Sequence, residues 1–61
     1  MSDIIELINE FNKQHGETLE RVIMPEHLFD LYQLSLKQML QHIVFESDNI
    51  HGLILVQKDP N

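Results

Sequence analysis

Four histidines in a chain of 61 residues, His15, His27, His42 and His51, are the side chains best suited to metal binding or proton transfer; cysteine is absent. His27 and Asp30 stand three apart, and His42 and Glu46 four apart, so on a helix each pair would share a face and could offer two ligands. Two ligands do not make a metal site. HExxH, CxxC and paired ExxH patterns are missing, and no metal ligand is assigned. For hydrolysis, Ser35 and Ser47 are the available hydroxyls, and neither sits in a GxSxG turn. Glu26 and Asp30 fall on the wet side of a helix. Gly16 and Gly52 are isolated, so no phosphate-cradling loop exists and no cofactor is expected. A pocket enclosing a ligand would have to form between subunits in so small a chain. A histidine with a carboxylate at such an interface is the remaining enzymatic reading, and a non-enzymatic protein is the favoured one.

The elements that would carry these residues follow from apolar spacing. Ser2 reads as an N-cap, and Ile4, Ile5, Leu7, Ile8 and Phe11 recur at helical intervals up to Gly16, which predicts a helix over 3–15. Thr18 to Met24 clusters β-branched residues before a proline and predicts a strand over 18–24, with Leu19, Arg21 and Ile23 on one side and Glu20, Val22 and Met24 on the other. Pro25 suits a first helical position. From there Leu28, Phe29, Tyr32, Leu36, Met39, Leu40, Ile43 and Val44 form one stripe, predicting a long helix over 25–46. Residues 50–57, IHGLILVQ, predict a strand that is apolar on both faces.

The expected fold is therefore a single α/β domain, with α+β as the alternative, in the order helix, strand, helix, strand. If the two strands are parallel neighbours, the long helix crosses over one face of the sheet and helix 3–15 covers the other. Two strands make a poor core with open edges, and the chain's size leaves little margin: ~90 kcal/mol from apolar burial meets an ordering cost of about the same size. Without disulfides, completion by oligomerisation is expected. Leu31, Leu34 and Phe45 lie outside the main stripe of the long helix and are the candidate interaction residues, facing either helix 3–15 or a second copy.

Composition narrows the partners. A net charge of −6 with only four Lys and Arg argues against direct nucleic-acid binding, which needs clustered cations. No apolar run approaches the ~18 residues of a membrane span, and MSDIIELINEF lacks a basic leader, so a soluble cytoplasmic protein is expected. Three functions remain. The first is a self-associating interaction module. The second is an acidic inhibitor or adaptor that docks on a basic surface of a larger protein, imitating nucleic acid in one version. The third is the inter-subunit enzyme.

Overall fold

The structure, a computed structural model, describes residues 3–59. Its elements are α1 (Ile4–Gln14), β1 (Leu19–Pro25), α2 (Glu26–Met39), β2 (Val44–Asp48) and β3 (Ile54–Gln57). They form a small α/β unit of two helices and a three-stranded mixed sheet in the order β2-β1-β3. β1 is parallel to β2, with Val22 opposite Phe45, and antiparallel to β3, with Val22 opposite Leu55. The strand, helix, strand crossover is thus present, but its second strand is not the expected one.

α1 starts where Asp3 Oδ1 accepts the Glu6 N–H at 2.9 Å, meeting one of the four donors a helix start leaves free. The expected cap, Ser2, lies outside the described residues. The helix stops at a Schellman turn: the Gly16 N–H donates to Lys13 O and the Glu17 N–H to Asn12 O, at 3.2 and 2.7 Å. That geometry holds Gly16 at φ 69° and Glu17 at φ 58°. Glycine accepts the left-handed region freely, and glutamate does not.

The helix expected over 25–46 is corrected to Glu26–Met39. Leu40 still donates its N–H to Leu36 O, but its own φ of −129° leaves the helix, and Ile43 N–H folds back onto Leu40 O. From there exposure alternates with period two: Ile43 buried, Val44 exposed, Phe45 buried, Glu46 exposed. Leu40, Ile43 and Val44 also fit a helical stripe, because short apolar runs satisfy both periods. Pairing with β1 decides the matter. The strand expected over 50–57 shrinks to Ile54–Gln57, and Gly52 lies in the preceding bend with open space around it, not at a strand bulge or close approach.

β1 carries the bulge instead. Between Leu19 and Arg21 the register against β3 slips, so Leu19 faces Gln57 and Arg21 faces Val56. The extra residue rephases the strand, placing Leu19 inside together with Val22 and Met24 and leaving Glu20 and Arg21 outside. Strict alternation had put Leu19 beside Arg21 and Ile23.

One core results. Ile8 of α1, Leu19, Val22 and Met24 of β1, Leu36 of α2, Leu40 and Ile43 of the turn, and Phe45 of β2 pack together, with Leu55 of β3 against them. Both helices therefore lie on the same face of the sheet. The expectation that α1 covers the opposite face is overturned, and so is the two-stranded sheet, since a third strand comes from within the chain.

Candidate functional site

The chain over the C-terminal ends of β1 and β2, where α2 begins and the link to β3 crosses, encloses an open cleft of about 700 Å³. His27, Asp30, Ser47 and His51 line it, so residues that stand far apart in the sequence meet here. All four are exposed. The histidine hydrogen bond among the described residues is elsewhere: His15, stacked on Phe11 with ring centroids 4.0 Å apart, has Nδ1 2.9 Å from Phe11 O. Among the described residues, no serine is hydrogen-bonded to a histidine and no three His, Cys, Asp or Glu side chains are placed to hold a metal ion. His42 and Glu46, expected one helical turn apart, fall in the turn and in β2 respectively. The cleft offers water-exposed imidazoles and carboxylates without a mutual hydrogen bond to orient them.

The three candidate interaction residues are separated by the early end of α2. Leu31 and Leu34 remain together on the outer side of the helix, 70% and 71% exposed. Phe45 is only 5% exposed and belongs to the core beneath β2, so the three do not form one surface.

A different apolar surface is open. Residues paired across strands point to the same side of a sheet, and the side away from the helices carries two rows that run through all three strands, with the pair Pro25 and Asp48 beyond them. In one, Arg21 lies between Val44 and Val56; in the next, Ile23 lies between Glu46 and Ile54. Val44 and Ile54 are 55% and 45% exposed. Across the rows, Arg21 Nη1 meets Glu46 Oε1 at 3.4 Å, with both side chains 46% exposed. Beside this pair is a shallow depression lined by Glu20, Arg21, Val44 and Glu46. No helix covers these residues, and the outer edges of β2 and β3 are unpaired among the described residues.

The sequence hides this face for two reasons. Val44 and Glu46 are absorbed into a helical pattern, and the bulge in β1 moves Leu19 away from Arg21. The alternation of Ile43 and Phe45 with Val44 and Glu46 was the available signal. Among the described residues no helix is long and apolar enough to cross a membrane. The chain matches no protein-family model, no curated protein and no solved structure.

Proposed function

We propose that this chain is a non-enzymatic interaction module that self-associates, two copies meeting through the uncovered face of the sheet. The observation that carries the reading is the pair of rows Val44–Arg21–Val56 and Glu46–Ile23–Ile54, an aliphatic surface without an intramolecular cover. Aliphatic side chains on a pleated sheet gain by excluding water against a second apolar layer. Leu31 and Leu34 form a second exposed apolar strip, on α2, and are not needed for this contact.

The choice of a second copy over an unrelated partner rests on charge. The face holds the cation Arg21 with the carboxylate Glu46 diagonal to it, Asp48 at the end of β2 beyond them and Glu20 at its rim, whereas the chain as a whole has ten acidic residues against four basic ones. Two such chains repel over most of their surfaces. On this face each copy brings a guanidinium to the other's carboxylate.

Light scattering behind size exclusion across a micromolar to millimolar series tests the proposal. The expected result is a mass that rises from 7.2 kDa toward twice that value, and an Ile54→Glu variant that stays at the lower mass with unchanged circular dichroism. Leu34→Glu should associate as the parent does. A parent that stays at the monomer mass throughout, or association lost with Leu34→Glu and kept with Ile54→Glu, would overturn it.

A further inference from the structure

The self-association face contains an ion pair that a second copy must either bury or rearrange. Resting on that reading, we infer that the two copies exchange it: Arg21 of each chain pairs with Glu46 of the other across a two-fold axis lying between the sheets.

Within one chain the pair is loosely made. Arg21 uses a single guanidinium nitrogen at 3.4 Å, and both side chains are about half exposed. A guanidinium has five donors in a planar fork and binds best when two of them meet carboxylate oxygens. Such a long, wet pair contributes little to the fold and is free to change partners.

Closing the apolar rows removes water from both ions, because Arg21 stands between Val44 and Val56 and Glu46 beside Ile23. A charge taken out of water needs full hydrogen bonding to offset its lost hydration. An apolar partner would leave one poorly aligned contact to serve two desolvated ions. The required partner carries a carboxylate opposite Arg21 and a cation opposite Glu46, at the separation set by adjacent strands and adjacent rows. The chain's own face meets that description. A two-fold axis in the interface plane, perpendicular to the line joining the two side chains, lays each one over its counterpart. Isologous contacts are self-complementary in this manner. The result is a network of two guanidinium and two carboxylate groups enclosed by the aliphatic side chains.

Charge reversal provides the test with intact chains. Arg21→Glu alone sets the introduced carboxylate against Glu46 of its twin, and Glu46→Arg alone sets two guanidinium groups together. Each single variant should self-associate about tenfold or more weakly than the parent, since facing like charges disfavour a complex. Mixed in equal amounts, the two variants should form a heterodimer, resolved by native mass spectrometry, with parent-like affinity. The double variant R21E/E46R should recover homodimerisation. Both side chains are half exposed, and circular dichroism should confirm that each variant folds. Single reversals that associate as the parent does, or a mixture that gives no heterodimer, would overturn the exchange. If Ile54→Glu still abolishes association in that case, the face remains the contact and only the pairing is wrong; if Ile54→Glu is also silent, both proposals fall.

Discussion

Asn12 should be worth more to this fold than any other polar side chain. It is 1% exposed on α1, and its Oδ1 accepts the Leu19 N–H at 3.1 Å, at the start of the bulged strand. A bulge disrupts the regular ladder at the residues it displaces, so a side-chain acceptor from a neighbouring helix has a specific task there. In Asn12→Ala the Leu19 N–H would keep its burial and lose its acceptor, at a cost of about 1–3 kcal/mol. For a chain of 61 residues the whole folding stability is roughly 3–9 kcal/mol, so at the middle of both ranges about a third of it depends on one amide. At about 4–8 °C per kcal/mol in a domain this small, a 2 kcal/mol loss lowers Tm by about 8–16 °C. Urea and thermal unfolding followed by circular dichroism give the global change, and amide exchange at Leu19 gives the local one. In the variant the Leu19 amide should exchange faster than the global loss alone requires. A change below about 0.5 kcal/mol, with Leu19 still protected, would refute the assignment by showing that the N–H finds another acceptor.

The other expectations concern turns, core and surface. Glu17→Gly should stabilise the fold by about 0.5–1 kcal/mol, because φ 58° costs a side-chain-bearing residue about 1–2 kcal/mol and glycine returns part of that as lost backbone freedom; a destabilised variant in urea titration would contradict it. Leu36→Ala, at a fully buried position of α2, should cost about 2–5 kcal/mol, seen as a chain partly unfolded at 25 °C by circular dichroism. Asp3→Ala should lose about 1 kcal/mol through the Glu6 N–H it caps, measurable by thermal unfolding. Self-association should tighten as salt rises from about 10 to 150 mM, because the Debye length falls from about 30 to 8 Å and the repulsion between two chains of net charge −6 is screened. Docking of an acidic surface on a basic protein would weaken over the same range, so analytical ultracentrifugation distinguishes the two.

Local signals read well from the sequence. The helical spacing of Ile4, Ile8 and Phe11 with Gly16 beyond places α1 within a residue at each end, and Pro25 marks the change from strand to helix. What failed was any feature decided at a distance. Ile43 to Glu46 satisfies a helical period and a strand period equally, and β1, 23 positions from Val44 at Arg21, supplies the pairing that selects the strand. The bulge at Leu19 to Arg21 is also a product of pairing, and it determines which residues share the open face. The grouping of Leu31, Leu34 and Phe45 on one helix depended on the same stretch: once α2 ends at Met39, Phe45 belongs to a different element from Leu31 and Leu34.

The place of β1 in the middle of the sheet constrains how the molecule assembles. Its partners come later in the chain: Arg21 pairs with Val44 and with Val56, 23 and 35 positions further on. Large loops must close before either pairing is rewarded, which raises contact order and slows folding relative to a helical chain of equal length. During translation β1 emerges before both of its partners and has no strand of this sheet to pair with until the segments from Val44 onward follow. The strand at the heart of the fold is thus made before the strands that secure it.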